Sequence, residues 1–234
     1  MDDELLSSEA FTVRLRRVGE LHYHDKHPFH TRMHEGELSR EQLQAWVANR
    51  FYYQRNIPVK DALILSKIPS REDRRIWIQR IVDHDGSTEN EGGIETWIRL
   101  GETVGLSREE MWDDRHLLPA VRFAVDAYVN FCRHKPWVEA VASSLTELFV
   151  PILMSHRIAV FERVYPWIKQ EGLEYFRSRL VQAPRDAEHG LRVVLRECSS
   201  RKEQEQAIAA LTFKCDVLWS ILDALSLKYP VKDH

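Results

Sequence analysis

Residues 45–60, AWVANRFYYQRNIPVK, decide how this chain folds. The stretch reads as helix and begins just after a start signal. Ser39 is followed three residues later by Gln42, a capping box in which each side chain satisfies a free backbone donor near the other. Trp46, Arg50, Tyr53, Gln54 and Ile57 recur at helical spacing and therefore share one side. That side ought to be buried, yet it carries a cation and an amide among aromatics. An ionised group left unpaired out of water costs about 3–5 kcal/mol. An anion, from the protein or from a ligand, has to meet Arg50.

Upstream, 9–20 reads as an amphipathic helix with Phe11, Leu15 and Val18 on its apolar side. The segment LHYHDKHPFH that follows holds His22, His24, His27 and His30. Their spacing is irregular and no carboxylate pair accompanies them, which argues against a transition-metal site. Pro28 is placed to start a short helix, with His27 and His30 capping it or lining the surface. Downstream, Pro58 bends the long helix 45–66. Ser70 caps 71–85, where Arg80 and His84 share a face. DGSTENEGG is a loop. Helices follow at 94–104 and 117–134, with a further capping box at Ser107 and Glu110, and then one long helix over 137–165. On that last helix Ser143, Glu147, Val150, Met154 and Arg157 form a stripe with Thr146 beside it, and Pro151 marks a bend. A short helix at 171–181 presents Tyr175 and Arg179, APRD is a turn, and helices at 187–198 and 203–229 close the chain. Lys214 intrudes beside the apolar stripe of the last one. No segment alternates polar and apolar residues long enough for a half-buried strand. The expectation is an all-α, single-domain bundle of about seven longer helices spanning 1–234.

The totals narrow the function. Lys and Arg number 33 against 36 Asp and Glu, so the basic footprint of a nucleic-acid binder is missing. Three widely spaced cysteines without a CxxC fit reduced thiols and a cytoplasmic location. The acidic N-terminus reads as no signal peptide, and no apolar run approaches the roughly 20 residues that span a bilayer, so no membrane partner is expected.

The inward polar residues are Arg50, Gln54, Lys60, Arg80, His84, Tyr128, Glu147, Arg157, Tyr175, Arg179 and Lys214, drawn from at least six helices. Their balance is cationic although the whole chain carries a net −3. A pocket of this kind suits a small ligand with several carboxylates or phosphates, which Arg meets with a planar fork and Lys with a point charge. The Gly-rich phosphate loops GxGxxG and GxxxxGK are both missing, which puts a polycarboxylate ahead of a nucleotide. His84 and Tyr175 can move protons in a cationic site. Taken singly, each cation is ordinarily a surface side chain, and periodicity does not say that these helices face one cavity.

The stretches NRFYYQRNIPVKDA, IVDHDG, FAVDAYVNF, EAVASSLTELFVP, YFRSRLVQAPRD and FKCDVLW, in this order, resemble the pyrroloquinoline quinone (PQQ) synthase family. The likeness runs from about residue 22 to 225. It implies a heme-oxygenase-like bundle, a homodimer, and no metal or organic cofactor. The implied reaction is the last step of PQQ biosynthesis, in which a bicyclic tricarboxylate undergoes ring closure and eight-electron oxidation. Oxygen is the acceptor and hydrogen peroxide is released. By the same resemblance Arg50, Gln54, Lys60, Arg80, Arg157, Arg179 and Lys214 hold carboxylates and quinone oxygens. Glu147 belongs with the substrate-binding set, and His24, Tyr53 and Tyr128 line the rings. His84 is the general base, Tyr175 a proton relay, and His84, Tyr175 and Arg179 surround oxygen or peroxide.

One position departs from some relatives. Met154 stands where they have histidine, and His156, two residues on, is turned by about 200° on a helix and cannot point the same way. Rival readings on the same fold are a diiron oxidase, a thiaminase-type hydrolase using Cys132, and a carrier that binds PQQ without chemistry. Tyr175, Arg179 and Gln182 are poor metal ligands where a diiron site would need strong ones.

Overall fold

The computed structural model describes residues 4–230, so the sequence reading of the extreme N-terminus lies partly outside the described residues. Among the described residues there are eleven α-helices and no strand: α1 (Ser8–His22), α2 (Pro28–Glu35), α3 (Arg40–Leu65), α4 (Arg71–Asp85), α5 (Gly92–Val104), α6 (Arg108–Trp112), α7 (Pro119–His134), α8 (Trp137–Ser143), α9 (Val150–Val164), α10 (Glu174–Glu197) and α11 (Arg201–Lys228). Eight of these run thirteen residues or more, against the seven or so expected. The all-α class stands.

Helix α3 is the axis. Its capping box at Ser39 and Gln42 forms as predicted, and α4, α5 and α7 pack around it. Helix α11 lies against α1, α7 and α8, while α10 packs on α9 and α8. Aromatic edges lock the centre: Trp46 meets Trp97 at 5.4 Å between ring centroids, and the Trp97 indole N–H donates to the Val47 carbonyl at 3.0 Å. Such edge-on pairs suit the ring quadrupole, and a buried indole N–H needs an acceptor.

Several local expectations change. The segment 137–165 is not one bent helix. A 3-10 turn, Ser144–Leu148, separates α8 from α9, and Pro151 sits in the first turn of α9. A proline there gives up a backbone donor that has no intrahelical acceptor anyway. APRD is not a turn either: α10 runs through Pro184. Proline in a helix interior costs about 3 kcal/mol, and here the next residues are tied down. Arg185 bonds Asp83 and Asp186, and Asp186 lies against Arg80 and Arg179. His27 does cap α2, accepting from the Phe29 N–H at 3.0 Å, but His30 is buried rather than superficial, at 1% exposure. One stretch, Trp137–Val164, is long and apolar enough to cross a bilayer by length and composition, which the sequence reading did not anticipate. It is broken by the 3-10 turn, and 56% of its apolar window is buried in the bundle.

The end of α4 is shaped by glycine. Gly86 and Gly92 both have positive φ, at 89° and 82°. A Cβ on Gly92 would lie 2.6 Å from the His84 carbonyl oxygen. The loop between them thus folds back tightly and holds His84 against α5.

Candidate active site

At the centre of the bundle α3, α4, α5, α9, α10, α11, the 3-10 turn and the α1–α2 link enclose a cavity with about 50 Å³ of free space. Helix α3 contributes Arg50, Tyr53, Gln54 and Ile57, which is the side the opening stretch marked out. His84 comes from α4, Trp97 from α5, and Thr146 and Glu147 from the 3-10 turn. Val150, Met154 and Arg157 come from α9, Tyr175, Phe176 and Arg179 from α10, and Leu218 from α11. Tyr23 and His24 close the α1–α2 end.

Nine of the thirteen predicted site residues line this cavity: His24, Arg50, Tyr53, Gln54, His84, Glu147, Arg157, Tyr175 and Arg179. Lys60, Arg80, Tyr128 and Lys214 stand one layer behind. The Lys60 ammonium donates to Asp61 at 2.7 Å and to Ser144 Oγ at 3.0 Å. Arg80 stacks on Trp77 and donates to the Asp186 carbonyl. Lys214 is buried and pairs with no acid among the described residues, donating to the Tyr53 hydroxyl at 2.7 Å and lying 3.7 Å from the centre of the Tyr128 ring. Burial and then Arg50 push its pKa well below the ordinary lysine value. Tyr128 itself approaches Ser143 Oγ at 3.4 Å.

Sequence reasoning passed over Tyr23 and Trp97. Tyr23 adjoins His24 in a segment read only for its histidines, and Trp97 sits on the 94–104 helix, in which no site residue was named. Neither carries a signal beyond being a large aromatic.

The cations differ in how they are satisfied. Arg50 stacks on Tyr53 at 4.1 Å and has no acidic partner among the described residues. Arg157, only 3% exposed, stacks on Trp46 at 5.1 Å and reaches His30 Nε2 at 3.3 Å. Its Nε has no partner. Burial and then Arg50 draw its pKa down to about 9, a sign of strain rather than of deprotonation, since guanidinium keeps its proton in proteins. Arg179 is the paired one. It bonds Glu147, donates to Gln182 Oε1 at 3.0 Å and lies 3.8 Å from Asp186. Burial opposes its charge, yet Glu147, Tyr175 and Asp186 together hold its pKa above the usual arginine value.

His84 has a defined tautomer. Its Nδ1 lies 3.0 Å from the Arg80 carbonyl oxygen, which can only accept, so Nδ1 carries the proton and Nε2 is a lone pair. That Nε2 is buried and unpartnered. Burial first, and Arg179 second, lower the pKa to about 3, so the ring is neutral at pH 7. Tyr175 donates to Gln54 Oε1 at 2.9 Å, and burial raises its pKa and keeps it a phenol. The cavity therefore offers two unmatched positive charges, a neutral base and a phenol on neighbouring walls.

Met154 lines the cavity while His156 is exposed on the other side of α9, as the helical step requires. Cys132 is buried away from the cavity. Among the described residues no three histidine, cysteine or carboxylate side chains are placed to share a metal ion.

The pattern of the TENA/THI-4/PQQC family matches residues 13–224. The pyrroloquinoline-quinone synthase of Pseudomonas aeruginosa is 58% identical over 232 residues, covering 99% of this chain and 92% of that protein. That of Klebsiella pneumoniae is 54% identical over 229 residues, covering 98% and 91%. Among solved structures, a TenA homolog from Pseudomonas syringae pv. tomato superposes with a TM-score of 0.75 at 13% identity, covering 97% of this chain and 99% of that one. A domain of unknown function with a heme oxygenase-like fold from Shewanella denitrificans gives 0.73 at 11% identity, covering 97% and 94%. Those two likenesses establish the heme-oxygenase-like architecture and nothing more. The near-complete match in sequence shows the lineage: the chain belongs to the TENA/THI-4/PQQC family, with the pyrroloquinoline-quinone synthases.

Proposed function

We propose that the chain is an oxidase that completes PQQ from its bicyclic tricarboxylate precursor, with molecular oxygen as acceptor and without a resident metal or organic cofactor. The observation that carries this reading is the pair Arg50 and Arg157, two guanidinium groups on the cavity wall that no acid among the described residues neutralises. Carboxylates of the ligand supply that missing charge by paired, charge-assisted bonds. Similarity to curated synthases supports the chemistry.

The free space of about 50 Å³ is far below the roughly 300–1,000 Å³ of ordinary ligand pockets. Binding therefore widens the cavity, and the Arg179–Glu147 contact is what an incoming carboxylate replaces. Neutral His84 takes a proton from the ring through its free Nε2, and the Tyr175 phenol, oriented by Gln54 Oε1, gives and takes protons at the site. Arg179 stabilises the anion that forms as oxygen is reduced. Each oxygen that leaves as peroxide takes two electrons and two protons. The quinol supplies the electrons, and the protein supplies position, charge and proton transfer. The homodimer and the cytoplasmic location implied by the family are part of the same proposal.

The test is anaerobic mixing with the precursor followed by admission of oxygen. Loss of precursor with peroxide release and growth of the quinone absorption is the expected result. Tight product binding without precursor turnover would make the protein a carrier, and stoichiometric iron with chelator-sensitive turnover would make it a metalloenzyme.

A further inference from the structure

The histidines singled out in the sequence join another that it set apart. The His24 ring lies 4.8 Å from the His30 ring, centroid to centroid. His30 lies 6.1 Å from His34, and His34 lies 4.5 Å from His156. The order is also an order of depth. His24 lines the cavity, His30 is fully buried, His34 is half-buried, and His156 is exposed. Three segments build the series: His24 sits in the α1–α2 link, His30 and His34 are one turn apart on α2, and α2 packs on α9, which carries His156. His24 also lines the cavity and His30 also meets Arg157, while His34 and His156 have no place in the site described above. His24 Nδ1 and His34 Nε2 are buried with no hydrogen-bond partner, a cost that a folded chain ordinarily removes.

We propose that His24, His30, His34 and His156 form a proton relay from the cavity to solvent. The inference rests on the function proposed above. The precursor's amino group is an ammonium in neutral water and must lose a proton before its nitrogen can form the new ring bond. That proton is set free inside a cavity walled by Arg50, Arg157 and Arg179, where it cannot stay. At rest His30 gives its Nδ1–H to the His24 carbonyl at 3.0 Å and meets Arg157 at Nε2 at 3.3 Å; once a ligand carboxylate draws Arg157 away, each ring takes the proton on one nitrogen and releases it from the other, and no electrons move. The 6.1 Å step is one that a single water or a ring rotation spans.

The charges around the rings fit such a role. His24 faces Arg50, Arg157, Lys214 and His27, His30 faces Arg157, its two neighbouring rings and Arg50, and His34 faces Arg157 and His156. Burial, and then these cations, keep the three inner rings neutral, so that none traps a proton at rest. Ligand carboxylates on Arg50 and Arg157 offset that field. The relay therefore opens to protons when the substrate is in place.

Two variants test this without touching the cavity wall, His34→Phe and His156→Gln. The native protein and each variant are mixed anaerobically with precursor in weak buffer containing a pH indicator. Precursor affinity is read separately by titration. The expected result is proton release slowed about tenfold or more in His34→Phe, slowed less in His156→Gln, with affinity unchanged and the rate restored by added imidazole. Release at the native rate in both variants, or a slowing that imidazole does not relieve, overturns the relay. If His34→Phe fails to fold, the surface variant His156→Gln decides alone. A native protein that turns over precursor while both variants match it sinks only the relay. A native protein that neither binds nor turns over precursor sinks the proposed function and the relay with it.

Discussion

Arg157 shows how far one side chain can be held from its comfort. Its charge is buried, its Nε is unpartnered and its nearest polar neighbour is a histidine. The ligand-free protein carries that cost. Arg157→Met fills similar volume without a charge, and it should raise the melting temperature of the free protein by the equivalent of about 1–3 kcal/mol. The same change should weaken tricarboxylate binding about a hundredfold or more, since each charge-assisted pair contributes strongly. Thermal melts and equilibrium titration on one preparation check both. His84 makes a different claim. His84→Asn keeps a hydrogen-bonding group of similar reach but removes the lone pair that takes a proton. Binding should survive, and single-turnover oxidation should slow by about 10²–10⁴. A near-native rate in that variant would move the base elsewhere.

At the scale of elements, the 3-10 turn Ser144–Leu148 matters because it presents Glu147 to α10. On the proposed function that carboxylate holds the place of the ligand's in the free protein. Glu147→Gln should therefore destabilise the free protein by about 1–3 kcal/mol, Asp186 and Gln182 supplying partial cover for Arg179. It should also tighten tricarboxylate binding about tenfold, because one competing anion is gone. Calorimetric titration of both proteins settles this, and weaker binding in the variant would show that Glu147 contacts the ligand directly. The turn was hidden in the sequence. Ser143, Glu147, Val150, Met154 and Arg157 keep helical spacing across the break, so the stripe was legible while the break was not. Pro184 misled in the opposite sense. Proline is a strong local breaker, but the helix is held past it by partners distant in sequence, Asp83 on Arg185 and Arg80 on Asp186.

For the molecule as a whole, burying neutral histidines links stability to pH. His24, His30 and His84 have pKa values pushed below the ordinary histidine range by burial, with nearby arginines adding to it. The unfolded chain binds protons at these rings below about pH 6.5 and the folded chain does not. Stability is therefore fully present above that pH and is lost as the pH falls, down to about pH 3 in the case of His84. Each ring contributes a slope of up to about 1.4 kcal/mol per pH unit. Melting temperature should drop steeply between pH 7 and pH 5, and His30→Phe should flatten the drop. A flat profile over that range would mean that the rings protonate in place.

The amino-acid sequence by itself determined the all-α class, the helix starts at Ser39, Ser70 and Ser107, and which side of α3 would face a cationic site. Those features are local: a cap is satisfied within one turn, and helical spacing fixes direction around an axis. Only the tertiary structure decided depth. Spacing says that Lys60, Arg80, Tyr128 and Lys214 turn inward, but neighbours such as Asp61, Asp186 and Tyr53 set whether an inward side chain reaches the cavity or stops a layer short. The same holds for His30, His34 and His156, whose rings meet because α2 packs on α9, a contact between residues more than a hundred positions apart that no local pattern encodes.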